Sequence, residues 1–119
     1  MNKRAVGAAA EDKAAAFLEK QGVKIRERNY RNRSGEIDII GYHEGYLVFF
    51  EVKYRSSVQK GYPEEAVSAG KQRQICKVSD YYRCVHKIPV NTAIRYDVIS
   101  VVGEEMRWIK NAFPYHYHN

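Results

Sequence analysis

Two apolar runs with charges set inside them constrain this chain more than any other feature. They are Gly35-Glu36-Ile37-Asp38-Ile39-Ile40 and Tyr46-Leu47-Val48-Phe49-Phe50-Glu51-Val52-Lys53, parted by a polar break from Gly41 to Gly45. Branched and aromatic runs on either side of a glycine-containing break predict the two strands of a hairpin. With Glu44-Gly45 as a two-residue turn, facing positions sum to 89, so that Asp38 lies opposite Glu51, Ile40 opposite Phe49 and Glu36 opposite Lys53. Side chains alternate along a strand, which puts Glu36, Asp38, Glu51 and Lys53 on one face. Two carboxylates facing each other in a half-buried sheet destabilise it unless positive charge lies between them. A divalent cation meets that need.

Magnesium, or manganese in its place, fits the donors. It is a hard cation that is commonly held by one or two carboxylates, keeps several waters and leaves room for a substrate phosphate. Asp38, Glu51 and the backbone carbonyl of Val52 are the expected metal ligands. A metal held there lowers the pKa of bound water, polarises a phosphoryl oxygen and offsets charge in the transition state. Lys53, two residues beyond Glu51 on the same face, is placed to orient the attacking water or to stabilise negative charge on phosphorus.

These residues resemble a known active site. Asp38, followed after a hairpin by Glu51-Val52-Lys53, is similar to the signature of the PD-(D/E)xK nuclease superfamily, although Ile37 stands where the name implies proline. An E-x-K tripeptide is weak by itself. The ordered set Asn29-Tyr30-Arg31, Gly35-Glu36-Ile37-Asp38, Phe50-Glu51-Val52-Lys53-Tyr54-Arg55, Arg95-Tyr96-Asp97-Val98 and Asn111-Ala112-Phe113 is more specific, and resembles the YraN family of proposed small bacterial endonucleases over almost the full chain. The resemblance implies a metal-dependent endonuclease with a restriction-endonuclease-like α/β/α core, a further acidic residue from the first helix and a phosphate-binding lysine on a later one.

The remainder of the chain supplies elements to match. Residues 5 to 21 are rich in Ala, Glu, Lys and Leu and predict a helix that Gly22 stops. Glu11 shares its inward face with Gly7, Ala14, Ala15 and Leu18. Glu11 either complements the helix N-terminus or adds a third acid to the metal site, the second being what the resemblance implies. Val23 to Arg28 predicts a short strand, and Asn29 to Gly35 a polar loop that brings Arg31 and Arg33 to the mouth of the acidic hairpin for phosphate contact. Arg55 falls in a loop at the edge of the site, running to Tyr62.

Pro63, with Glu64 and Glu65, predicts the first turn of a helix reaching about Val85. Its expected inward stripe is Val67, Lys71, Gln74, Val78, Tyr81 or Tyr82, and Val85. Lys71 on that stripe either snorkels to the surface or contacts phosphate. Arg73, Lys77 and Arg83 are expected on a solvated basic face. Ile94 to Val102 predicts a strand in which Arg95 and Asp97 form a structural ion pair, and Met106 to Ile109 an edge strand. Residues 114–119, with His116 and His118, are expected to be a short mobile tail.

Together these elements predict an α/β fold, a mixed sheet of about five strands flanked by helices, in one nuclease-like domain over residues 1–119. The formal charge of +6 favours a polyanionic partner. DNA is expected, in branched or other non-duplex form because so small a chain has no room for an elaborate sequence-reading domain; RNA stays open, as does a homodimer. Cys76 and Cys84 stand eight residues apart on one helix, about 12 Å along its axis and too far for a disulfide, so they read as reduced thiols. No window reads as a membrane span or signal core, and a cytoplasmic protein is expected. Two other readings compete with the nuclease: a non-catalytic DNA-binding module of the same fold in a repair or recombination complex, and a protein whose acidic hairpin is neutralised by Arg31, Arg33 and Lys53 without any polyanion.

Overall fold

A computed structural model gives the protein's structure over residues 3–55 and 67–117. In chain order the elements are α1 (Lys3–Lys20), β1 (Lys24–Asn32), β2 (Gly35–His43), β3 (Tyr46–Arg55), α2 (Ala69–Val85), β4 (Ala93–Val102) and β5 (Glu105–Ile109). The strands form one sheet in the order β1-β2-β3-β4-β5. Only β3 and β4 run parallel, joined through α2; the other neighbours are antiparallel. The result is the expected α/β fold, a five-stranded mixed sheet with a helix on each face, and it is consistent with a restriction-endonuclease-like core.

Each face has its own core. Ala10, Ala14, Ala15 and Leu18 of α1 pack on Ile39, Val48, Phe50, Ile99 and Val101. The alanines leave little side chain between helix and sheet, which lets α1 lie close. On the other face Ile75, Cys76, Val78 and Tyr82 of α2 cover Ile37, Ile40, Leu47, Phe49, Tyr96 and Val98. Because both faces of β3 are covered, Leu47 to Phe50 are all buried, and the strand reads as an apolar run rather than as an alternation. Among the described residues no helix is long and apolar enough to cross a membrane.

The β2–β3 hairpin has the predicted register: Ile39 faces Phe50, Ile40 faces Phe49 and His43 faces Tyr46. Glu44 (φ 50°) and Gly45 (φ 85°) are both left-handed, the combination that matches the twist of a two-residue hairpin. Gly22 (φ 95°) ends α1 as expected.

Three local expectations give way. Asn29 to Asn32 continue β1, so that the turn into β2 is Arg33-Ser34 rather than a long loop. Pairing with β2 satisfies their backbone groups in a way the polar sequence did not announce. Tyr54 and Arg55 extend β3; residues 56–66, including Lys60, Gly61, Pro63, Glu64 and Glu65, lie outside the described residues. The described helix begins after Ser68, which is extended (φ −69°, ψ 160°) and accepts a hydrogen bond from the Lys71 amide at 3.1 Å. Removing this cap with Ser68→Ala is expected to lower stability by about 1 kcal/mol, read as a shift in the urea midpoint at unchanged slope.

The inward face of α2 also differs from the expected stripe. Ile75, Cys76, Val78, Ser79 and Tyr82 are buried, while Tyr81 and Val85 are exposed. Ser79 earns its burial by hydrogen-bonding the Cys76 carbonyl and the Tyr96 hydroxyl, both at 2.7 Å. The segment expected to be a mobile tail is described as far as Tyr117, and it lies along α2. Phe113 stacks on Tyr96 with ring centroids 5.3 Å apart, Tyr115 donates to Asp80 at 2.7 Å, and His116 meets Gln72 at 2.7 Å.

Candidate active site

Strict alternation along β2 would put Ile37 and Ile39 on one face. Instead Ile37 packs with α2 and Ile39 with α1, while Ile40 returns to the α2 side. The phase slips at Asp38. Across the β1–β2 ladder the pairs Arg28–Ile39 and Tyr30–Ile37 flank this point, and between them Asn29 adopts a left-handed φ of 54°. Asparagine tolerates that conformation better than most residues. The slip corrects the expectation that Glu36, Asp38, Glu51 and Lys53 share one face. Glu36 lies on the α1 side, where it pairs with Arg31 at 2.6 Å. Glu51 follows Leu47 and Phe49 onto the α2 side, where Lys71 Nζ stands 3.6 Å from its Oε2. Lys53 and Arg55 continue that phase.

Asp38 sits at the point where the two strands part. The described pairing of β2 with β3 ends at Ile39–Phe50, and beyond it the Val52 amide donates to Asp38 Oδ2 at 2.8 Å, a side chain replacing a ladder partner. A strand residue's amide and carbonyl point to the same edge, so the Val52 carbonyl also faces this opening. Asp38 and Glu51 are both buried, at 9% and 8% exposure. Burial, then a hydrogen bond from protonated Glu51 to Asp38, then the charge of Asp38 itself push the Glu51 carboxyl up to about 8; Lys71 and Lys53 oppose the shift without cancelling it. Glu51 Oε2 is buried with no hydrogen-bond partner, since Lys71 is too distant for one.

Glu11 lies on the α1 side, within electrostatic range of Asp38. It lies two turns into α1, whose first turn carries no acid, so it does not serve the helix N-terminus. Burial and then Asp38 push its carboxyl up to about 7, with Arg28 opposing at 3.9 Å. With its amide oriented to satisfy hydrogen bonding, Asn29 donates to Glu11 Oε1 at 2.9 Å and Oε2 at 3.2 Å. Glu11, Asn29, Arg28, Arg31 and Glu36 line an open cleft of roughly 700 Å³. Asn29 and Arg28 are the site neighbours that the sequence reading left unassigned; an Asn where a strand must turn its phase was the signal.

The structure therefore brings Glu11, Asp38, Glu51, Val52, Lys53 and Lys71 around the parted strands. Arg31 borders the cleft but is committed to Glu36, and Arg55 lies at the end of β3. Arg33, at the tip of the β1–β2 turn, lines a hollow with Asn32, Ser34 and Tyr81. Gly35 is held beneath α2, where a Cβ would lie 2.7 Å from Gln74 Cγ and Cδ, at a φ of 148° that already favours glycine.

Whether these donors suit a metal can be judged from their chemistry. Among the described residues no three His, Cys, Asp or Glu side chains gather as a ready-made metal site. What is present is a pair of buried carboxylates, one with an orphaned oxygen, beside a free strand edge. Oxygen donors of this kind suit a hard divalent cation better than zinc, which favours nitrogen and sulfur.

Arg95 and Asp97, by contrast, form a structural pair on β4. Asp97 is fully buried and accepts from Arg95 Nε at 3.0 Å, from an Arg95 terminal nitrogen at 2.7 Å, from Trp108 Nε1 at 2.8 Å and from the Asn111 amide at 2.8 Å. It locks β4, β5 and the segment after β5 together.

Comparison with known proteins agrees with the resemblance at family level. The model of Uncharacterised protein family UPF0102 matches residues 10–101. A UPF0102 protein of Lachnoclostridium phytofermentans is 51% identical, covering 95% of this chain and 96% of its own. One from Fusobacterium nucleatum is 44% identical over 93% and 92%, and one from Persephonella marina 41% identical over 93% and 95%. With a family match across most of its length and relatives this similar end to end, the chain belongs to Uncharacterised protein family UPF0102.

Proposed function

We propose that this protein is a metal-dependent endonuclease of the PD-(D/E)xK type that hydrolyses phosphodiester bonds in DNA, with branched or other non-duplex structures as its preferred substrates in recombination or repair. The observation that carries the reading is the Asp38–Glu51 pair. Two carboxyl groups are buried together at the parting of β2 and β3, and once Glu51 is ionised its Oε2 has no hydrogen-bond donor. A folded protein leaves a buried acceptor unsatisfied only at a cost, and a cation removes that cost.

Asp38, Glu51 and the Val52 carbonyl would hold magnesium or manganese, which when bound supplies an activated water and offsets charge at phosphorus. The chain's own residues supply the rest. The Val52 amide fixes the Asp38 carboxylate in place. Lys53, on the face of Glu51, directs its ammonium at the phosphoryl oxygens and at the attacking water. Lys71 offers a second cation to the phosphate once Glu51 is engaged by metal. Glu11, held by Asn29 and poised near neutrality, can take up a proton from water on the α1 side.

A second reading rests on Lys71 itself. Its ammonium, 3.6 Å from Glu51, can act as the counter-cation of the acidic pair, which would make the fold a DNA-binding module without catalysis. Asp38→Asn separates the two. Labelled flapped and four-way-junction DNA incubated with magnesium is expected to be cut by the wild type and left intact by Asp38→Asn and by Lys53→Ala, with chelator abolishing the wild-type activity. Wild-type protein that binds these structures equally well with chelator and never cuts them would favour the module.

A further inference from the structure

The basic residues divide into those with an ion-pair partner and those without. Bordering the α1-side cleft, Arg28 pairs with Asp12 at 2.8 Å and Arg31 with Glu36 at 2.6 Å. On α2, Lys71 faces Glu51 and Arg83 pairs with Asp80 at 3.7 Å. Arg33, Arg73 and Lys77 have no ion pair among the described residues. These three converge on one groove. Gly35 is tucked under Gln74, which presses the β1–β2 turn against α2. Two hollows of about 500 and 290 Å³ run along that seam and share Ser34. Arg33 and Tyr81 line the first, Arg73 and Lys77 the second.

Arg73, Lys77 and Tyr81 follow one another at intervals of four, so they stand on one helix face about 6 Å apart along the axis. Tyr81 is 54% exposed and presents a ring to solvent at the end of this row. The groove is thus lined with positive charge that has no ion-pair partner among the described residues, and it ends on an aromatic face.

We propose that the groove between α2 and the β1–β2 turn holds a single strand of DNA, with Arg33, Arg73 and Lys77 on its phosphates and a base stacked on Tyr81. Positive grooves combined with exposed aromatic rings suit unpaired strands, because a base within a duplex cannot offer its face to a side chain. The inference rests on the nucleic-acid reading of the acidic site and specifies its substrate: it includes an unpaired strand. It also gives Arg33, expected to contact phosphate, that role beside Tyr81.

The test measures binding alone, with chelator present so that no cleavage intervenes. Fluorescence anisotropy would follow a labelled single strand of about 12 nucleotides, and a duplex of equal length, against salt concentration. Tyr81→Ala is expected to weaken single-strand binding roughly tenfold and Tyr81→Phe to restore it. The double variant Arg73→Ala, Lys77→Ala is expected to weaken it and to flatten the dependence of log Kd on log salt by about 1.4, or about 0.7 for each lost phosphate contact. Lys20→Ala with Lys24→Ala removes equal charge from exposed positions outside the groove and serves as the control. An equal loss in that control, an unchanged affinity in Tyr81→Ala, or tighter binding of duplex than of single strand would each overturn the proposal. Failure here leaves the cleavage assay of Asp38→Asn unaffected, so the two readings fail separately.

Discussion

Glu51→Gln is expected to abolish cleavage while making the protein more stable above neutral pH. The two effects share a cause. Glu51 is buried beside Asp38 and its carboxyl is pushed up to about 8 from an ordinary value of 4.5. Between those values the unfolded chain has released the proton and the folded chain still holds it. Stability therefore falls as pH rises through this window, and the full cost of the ionised side chain is present above about 8. Glutamine fills the same space without that charge. The variant should match the wild type near pH 4.5 and gain progressively toward pH 9, by at most about 5 kcal/mol, seen as a melting-temperature difference that widens with pH. Cleavage should fall at least about a thousandfold, since the amide cannot serve as an anionic ligand at the site of charge stabilisation. Melting curves from pH 4.5 to 9 with chelator, beside cleavage rates in magnesium, check both halves. A variant no more stable than wild type at pH 9 would show that the pair is not strained by its charge.

Asp97→Ala is expected to cost about 3–5 kcal/mol, a large part of the stability of a chain this size. Removing the carboxylate leaves Arg95, 7% exposed, as a buried charge, and strips the acceptor from both Trp108 Nε1 and the Asn111 amide. The nearby His43 ring nitrogen, 3.2 Å from Arg95, cannot carry a countercharge. Asp97→Asn keeps an oxygen for one of these donors and should cost less. Urea unfolding of both variants measures the difference. A loss below about 1 kcal/mol in the alanine variant would mean that the network is not what holds β5 and the following segment to β4.

Much of the frame could be read along the chain because its signals are local. The apolar hairpin arms, the turn at Glu44-Gly45 and the stop at Gly22 each depend on neighbouring residues, and they led to the correct register of β2 on β3 and to the correct end of α1. Arg95 and Asp97, two apart on a strand, must share a face, so an ion pair was expected at the sheet margin; its burial on β4, between β3 and β5, came only with the fold. The fold followed from the order of elements: α, three strands, α, then two more strands around one parallel crossover.

What stayed hidden depends on contacts between segments distant in sequence. Period-two reasoning carried Glu36, Asp38 and Glu51 onto one face, but the left-handed backbone of Asn29 and the parting of β2 from β3 shift the phase at Asp38. That shift sets Asp38 beside Glu51 on the α2 side while its charge still acts on Glu11 on the α1 side. The polar run Asn29 to Asn32 gave no strand signal, since its order comes from pairing with β2. The buried side of α2 was misread for a similar reason: Ser79 belongs inside only because the Tyr96 hydroxyl awaits it. The sequence by itself determined which elements form, how the central hairpin is registered and which acids it carries, because those depend on turn chemistry and side-chain period. Only the tertiary structure decided which of those acids converge, and that Arg33 lines a hollow with Tyr81, because convergence is set by where strands part and helices dock.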